Sequence, residues 1–341
     1  MKTKRMQELR SRFSEMTPQV SVNIRKSAAV IRGRLYTWGC GAYGQNADGG
    51  TSEVLSPKLV TTIPRRIRMV SVGLHHSAAV TVNGDLYVWG SGINGQLGTG
   101  AIETRLLPVR LDLPPISLVS CGQVHTMAVT VDGSLYTWGG GGHGHLGTGD
   151  TKNQYRPVRV DFSSPIRMIA AGGRQSMAIT ADGDVYVWGR SSYDVVRPGV
   201  ATPTRLDLPK PMITGASGLL HNAVVSVDRE LYLWGFGVNL QRYVGLDPHR
   251  VHMVSVGYGT TLVVTTEGAA YKLDDRPILR VYLDDAQIPQ VVDMVATHGD
   301  HTIAVTSDGD LYAWGLGANG ALGTGSTRNV VFPERINIPP N

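Results

Sequence analysis

All six tryptophans of this 341-residue chain stand in one five-residue phrase, Leu/Val-Tyr-x-Trp-Gly. The phrase fills residues 35–39, 86–90, 135–139, 185–189, 231–235 and 311–315. A worn seventh copy at residues 270–273 keeps Tyr271 and carries Leu273 in the tryptophan's place. The seven tyrosines (Tyr36, Tyr87, Tyr136, Tyr186, Tyr232, Tyr271 and Tyr312) are separated by 51, 49, 50, 46, 39 and 41 residues. A period of this size marks one supersecondary unit copied along the chain, each copy burying its apolar face only against its neighbours.

Unit two shows what is copied. Residues 70–73 and 77–82 are β-type runs, and Asn83-Gly84 follows as a tight hairpin in which both turn positions need positive φ. Residues 86–89 form a third strand, a glycine-rich loop spans 90–100, and residues 108–113 form a fourth. Asp132-Gly133, Asp182-Gly183, Glu267-Gly268 and Asp308-Gly309 repeat the hairpin. Four short strands at this period, with no helical periodicity between them, predict an all-β fold: a seven-bladed β-propeller of four-stranded antiparallel blades. Pro64, Pro115, Pro165, Pro211, Pro248 and Pro289 stand at the passages between units, with Pro18 ahead of the first. Proline suits such strand entries because it fixes φ and lacks a donor. The propeller is therefore placed at residues 18–341, behind an N-terminal arm at 1–17.

Arg110 and Asp112, Arg159 and Asp161, and Arg205 and Asp207 place an arginine and an aspartate two residues apart, on one face of the outermost strand. The expectation is a charged edge that resists pairing with other chains, each arginine neutralised by its own aspartate, rather than a phosphate-gripping ring.

The net charge of +5 is concentrated in the arm, where Lys2, Lys4, Arg5, Arg10 and Arg12 are opposed only by Glu8 and Glu15. Met6, Leu9, Phe13 and Met16 follow one another at three- and four-residue steps, the pattern of an amphipathic helix that docks on the ring or on a partner. A basic arm touching nucleic acid or a transport receptor is the second reading, and an organelle-targeting segment the third. No apolar stretch approaches the roughly 20 residues of a membrane span. Cys40 and Cys121 occupy non-equivalent places in different units, which argues against a disulfide and for an intracellular setting, nucleus or cytoplasm before an organelle.

Three phrases recur in order. Unit two reads Val-x-Val-Gly-x-x-His-Ser-x-Ala-Val-Thr at 70–81, Gly-Asp-Leu-Tyr-x-Trp-Gly at 84–90 and Asn-Gly-Gln-Leu-Gly-Thr-Gly at 94–100, and units three and seven repeat the last at 144–149 and 320–325. In these phrases the chain resembles the regulator of chromosome condensation repeat family over residues 18–341. The resemblance implies seven blades. It also implies, from the founding member, nucleotide exchange on a Ran-type GTPase, through acidic and histidine side chains just before a recurring histidine. The matching positions are Arg25, His75, Val124, Arg174, Leu220, Gly259 and Asp300; only His75 and Asp300 are of that type, and Arg174 reverses the charge. No unit exceeds 51 residues, which leaves little room for the founding member's inserted wedge. The family's plant ultraviolet-B photoreceptor holds its sensory tryptophans in Gly-Trp-Arg-His-Thr. The equivalents here, 73–77 and 122–126, carry none, so the six tryptophans are expected to pack between blades. Units four to six lose the Gly-x-Leu-Gly loop, and 190–202 and 236–246 replace it, so these loops are expected to read a particular partner.

The recurring histidine is His76, His125, His221 and His301, with Lys26, Gln175 and Thr260 elsewhere. One equivalent position per blade cannot bring four imidazoles within the ~2 Å that a metal ion requires. They are expected to bond backbone between neighbouring strands. No phosphate-loop ending, Gly-x-Ser-x-Gly or His-Glu-x-x-His occurs, and neither a metal nor a cofactor is expected. The expected function is a non-catalytic scaffold or regulatory subunit binding protein partners, alone or in a larger assembly. An exchange factor for a Ran-type GTPase, and a chromatin or RNA binder working through the arm, are the alternatives. Candidate partner contacts are His75, Arg174, Asp300, Arg190, Tyr193, Arg197, Phe236, Arg242 and Tyr243; candidate arm contacts are Lys2, Lys4, Arg5, Arg10 and Arg12.

Overall fold

Seven antiparallel sheets of four strands each make up the computed structural model, which describes residues 19–190, 200–235, 238–273, 279–282, 291–299 and 301–339. Each sheet is one continuous stretch of chain: 19–59, 67–110, 116–160, 166–205, 212–242, 251–281 and 292–335. Within a blade the strands lie in chain order. The first strands of successive blades touch all the way round, Gln19–Asn23 meeting both Ile67–Val72 and Val292–His298. They line a central channel of about 290 Å³. The fold is the expected seven-bladed propeller.

Strand direction alternates, so the links from first to second and from third to fourth strand emerge on one face, called here the loop face. The hairpins between second and third strands, and the passages between blades, emerge on the other, the turn face.

The apolar core is divided among the seams between blades. Trp89 packs with Ala28, Val30 and Leu35 of the preceding blade, Trp138 with Ala78, Val80 and Leu86, and Trp188 with Met127, Val129 and Leu135. The last seam is of the same kind: Trp38 and Val20 of blade 1 pack with Ile303, Val305 and Leu322 of blade 7. The ring thus closes through side chains and not through a strand shared by the two ends. Where the tryptophan is lost, Leu273 fills the place beside Ala223, Val225 and Leu231.

Three local expectations are corrected. The hairpin with both turn positions at positive φ occurs in blade 1, at Arg32 (φ 52) and Gly33 (φ 77). In blade 2 only Gly84 (φ 87) is left-handed, because residues 82–84 form a three-residue loop closed by Gly84 N donating to Thr81 O at 3.0 Å. The outer strand of blade 2 is Arg105–Arg110 and not 108–113, since Arg105 pairs with Gly90 as soon as the loop ends; Pro108 lies inside it, which an edge strand tolerates. The passage prolines are not all equivalent. Pro115, Pro165 and Pro211 directly precede the residue whose amide bonds the hairpin carbonyl (Ile116, Ile166 and Met212), whereas Arg66 and Arg250 hold that place in two other passages, with Pro64 and Pro248 two residues upstream.

Candidate functional site

The loop face is held in shape by a clasp that recurs across three of the seams. His76 Nε2 lies 2.9 Å from Thr126 Oγ1 of the next blade, and that hydroxyl donates to Gln96 O at 2.8 Å. The hydroxyl's one proton is used on the carbonyl, so the imidazole must be the donor and carries its proton on Nε2. The same carbonyl accepts Trp138 Nε1 at 3.0 Å, which returns the circuit to the next blade. His125, Ser176, His145 O and Trp188 repeat the circuit, and His301, Ser27, Ala321 O and Trp38 repeat it at the closing seam. The histidine therefore bonds a side-chain hydroxyl across blades, not backbone between neighbouring strands as expected. Burial pushes His76 and His301 down to about 3 and holds His125 well below its usual range, which keeps the rings neutral.

The clasp explains the loop phrase. In Gly-x-Leu-Gly the x residue supplies the carbonyl, the leucine (Leu97, Leu146 or Leu322) is fully buried, and the second glycine faces the indole. A Cβ on Gly98 (φ 69) would sit 2.7 Å from Trp138 Nε1. Blade 1 carries the same turn as Gly44-Gln45-Asn46-Ala47, with Ala47 at φ 60 and Gln45 O accepting Trp89 Nε1 at 2.6 Å. There Lys26 replaces the histidine. Its Nζ donates to Gln45 O directly and to Asn46 Oδ1 at 3.0 Å, burial pushes its pKa down to about 7, and Ser77 Oγ is left without a partner.

On this frame the loops bring cations together near blades 3 and 4. Arg190 N donates to Arg174 O at 2.8 Å, and both side chains are exposed with no hydrogen bond or ion pair among the described residues. Half-buried His143 is held below its usual pKa by burial first and then by Arg174 and Arg190. Its ring lies 6.0 Å from that of buried His145, which meets His125 edge-on at 4.5 Å. Around blade 1, His75 packs its ring on Tyr43 at 4.6 Å. The described carboxylates of this face stand further out, in the loops leading to the outer strands, and are engaged: Asp48 with Lys58 at 2.9 Å, Glu103 with Arg105, Glu53 with Asn319, and Asp150 with the amide of Lys152 at 3.1 Å.

The structure sorts the nominated residues. His75, Arg174 and Arg190 lie on the loop face. Arg242 and Tyr243 do not: the strand Val238–Arg242 runs to the turn face, where Arg242 bonds Glu230 at 3.0 Å and Asp247 at 2.9 Å and Tyr243 packs into the core beside Leu246. Asp300, Tyr193, Arg197, Phe236 and the arm residues Lys2, Lys4, Arg5, Arg10 and Arg12 lie outside the described residues. Tyr43 and His143 were missed. Both precede the first glycine of the loop phrase, where blades 2 and 7 have Asn94 and Asn319, and that departure was the available signal.

The outer-strand arginines are paired, but with other carboxylates than expected. Arg110, Arg205 and Arg335 reach Asp85, Asp184 and Asp310 at the start of the adjacent strand, the first two at 2.8 and 2.6 Å. Register places Arg110 opposite Tyr87, two residues from Asp85 on the same face. Only Arg159 uses its own strand's aspartate, Asp161 at 3.3 Å, because Ser134 stands where Asp85 stands in blade 2. Among the described residues no three His, Cys, Asp or Glu side chains gather as metal ligands. Cys40 and Cys121 are free thiols, the latter pushed up to about 12 by burial.

The pattern of the RCC1-like domain matches residues 3–263, and that of the regulator of chromosome condensation (RCC1) repeat matches 308–341 and 291–321. The E3 ubiquitin-protein ligase HERC2 of Homo sapiens is 33% identical over 87 residues, 24% of this chain and 2% of the ligase. The ultraviolet-B receptor UVR8 of Arabidopsis thaliana is 35% identical over 78 residues, 23% of this chain and 18% of the receptor. The chain thus matches only a small part of each relative's length. Among solved structures, Prp20p from Saccharomyces cerevisiae, described with its binding properties to Gsp1p and histones, superposes with a TM-score of 0.78 at 21% identity, covering 96% of this chain and 89% of that one.

Proposed function

We propose, from the premise that this chain belongs to the family of RCC1-like domains, that it is a non-catalytic frame that binds a protein partner across its loop face. The observation that carries the reading is the charge arrangement of that face. Arg174 and Arg190, unpaired among the described residues, flank His143, while the described carboxylates of the same face are already engaged. Clasped seams keep the frame rigid, so loops vary without disturbing it.

An exchange factor for a Ran-type GTPase is the second reading. Prp20p's described binding to Gsp1p favours it, and Arg174, at a position where that reading expects an acid or histidine, weighs against it. The intracellular setting is proposed on the two free thiols alone.

The test is capture of partners by the tagged full chain, with mass spectrometry, repeated with an Arg174→Glu/Arg190→Glu variant. Loss of a specific partner from that variant, and its retention by Arg110→Glu on the outer edge, supports the reading. Retention by both variants contradicts it. Release of labelled GDP from a Ran-type GTPase, accelerated by this chain, would establish the second reading instead.

A further inference from the structure

The seven blades are copies of one design, so each position has its own internal control. On the turn face, the left-handed position of the hairpin is glycine in six blades: Gly33, Gly84, Gly133, Gly183, Gly268 and Gly309, all at φ between 76 and 89. In blade 5 it is Arg229, at φ 67. An L side chain is disfavoured there because its Cβ crowds the following carbonyl. In three passages a proline also stands over this glycine. A Cβ on Gly84, Gly133 or Gly183 would lie 2.9, 2.5 or 2.5 Å from the Cβ of Pro115, Pro165 or Pro211. In the passage from blade 5 to blade 6 the equivalent residue is Arg250, preceding Val251, whose amide bonds Arg229 O at 2.9 Å. Two arginines have replaced a glycine and a proline that meet elsewhere in the ring. Strain kept against the local rule points to a use for the side chain that it places.

Both arginines line a cleft of about 320 Å³ between blades 5 and 6, with Lys210, Arg242, Asp247 and His249. Most of its charge is internally matched. Lys210 Nζ lies 2.7 Å from both Asp228 and Glu230, and Arg242 joins Glu230 to Asp247. Arg250 Nη1 donates to the backbone Asp228 O at 2.8 Å; it forms no close ion pair among the described residues, and its charge reaches the Asp228 carboxylate only at longer range. Arg229 is half-buried and has no partner among the described residues. The lining holds four Lys or Arg side chains against Asp228, Glu230 and Asp247, a surplus of one positive charge. A half-buried guanidinium without an acceptor is costly, and a planar carboxylate matches its fork.

We propose that this cleft is a binding site for a single carboxylate, gripped by Arg229 and Arg250. One negative charge neutralises the surplus, whereas a phosphate dianion would reverse it. The site is on the opposite face from the partner surface described above and is independent of it.

The test is fluorescence anisotropy with the full chain and a labelled, amidated peptide carrying one glutamate in a glycine–leucine background. The same peptide with glutamine is the control, and free butyrate is the competitor. The glutamate peptide is expected to bind about tenfold or more tightly than its control, as a charge-assisted pair should. Arg229→Gly and Arg250→Pro restore residues that other blades use, so the fold is retained, and each should weaken binding by about tenfold. Displacement by butyrate would assign the site to a small carboxylate, and failure to displace would assign it to an acidic side chain of a peptide; either supports the proposal. Equal binding of the two peptides, no saturable binding of either, or unchanged affinity in both folded variants would overturn it.

Discussion

His125 joins two blades through one hydroxyl, so its loss has a calculable consequence. Substituting it with alanine removes the bond to Ser176 and opens a buried space beside His145. The expected destabilisation is about 1–3 kcal/mol, read as a lower midpoint in urea denaturation at constant m-value. The buried histidines also set the acid response. His76 and His301 are pushed down to about 3, and His145, His221 and His298 to about 4, all chiefly by burial. A depressed folded pKa means that the unfolded chain takes up protons first as pH falls below about 6.5. The stability of neutral burial is thus fully present above about 6.5 and is lost as pH falls towards 3–4, each ring contributing about 1.4 kcal/mol per pH unit within its window. Denaturation midpoints measured from pH 7 to 4 should fall steeply. Lys26, pushed down to about 7, acts in the same direction at higher pH: its share of stability rises from about pH 7 to its unfolded value near 10.5.

At the scale of the element, the loop phrase and the hairpin make opposite predictions. Gly98→Ala forces a Cβ against the indole of Trp138 from a left-handed backbone, and should cost about 2 kcal/mol or more. Arg229→Gly relieves the same backbone conformation and should raise stability by about 1 kcal/mol; thermal melts of the two variants should move in opposite directions. What the sequence made legible at this scale follows from what each signal depends on. The third-strand phrase could be read because its tryptophan meets the equivalent seam in six of the seven blades, so the same side chain recurs in place. The partners of Arg110 and Arg205 could not, because sequence distance points to Asp112 and Asp207, while strand register brings up Asp85 and Asp184. Arg242 was misplaced for a similar reason. Five residues of strand carry the chain from one face of the disc to the other, and proximity to a divergent loop in sequence does not survive that crossing.

As a whole molecule, the ring is seven apolar seams around a channel, and its closure repeats the clasp found between blades 2 and 3 and between blades 3 and 4. Blade count and order were legible from the period alone. The cation cluster of the loop face was only partly so, because Arg174 and Arg190 are joined by a backbone bond between neighbouring strands and His143 arrives from the preceding blade. That convergence carries the central proposal, that a partner docks on the face where Arg174, Arg190 and His143 gather. Hydrogen–deuterium exchange of the full chain, free and bound to its captured partner, tests it most directly. Slowed exchange is expected in the loop-face segments 139–153 and 172–176. Unchanged exchange in both segments while the partner remains bound would contradict it.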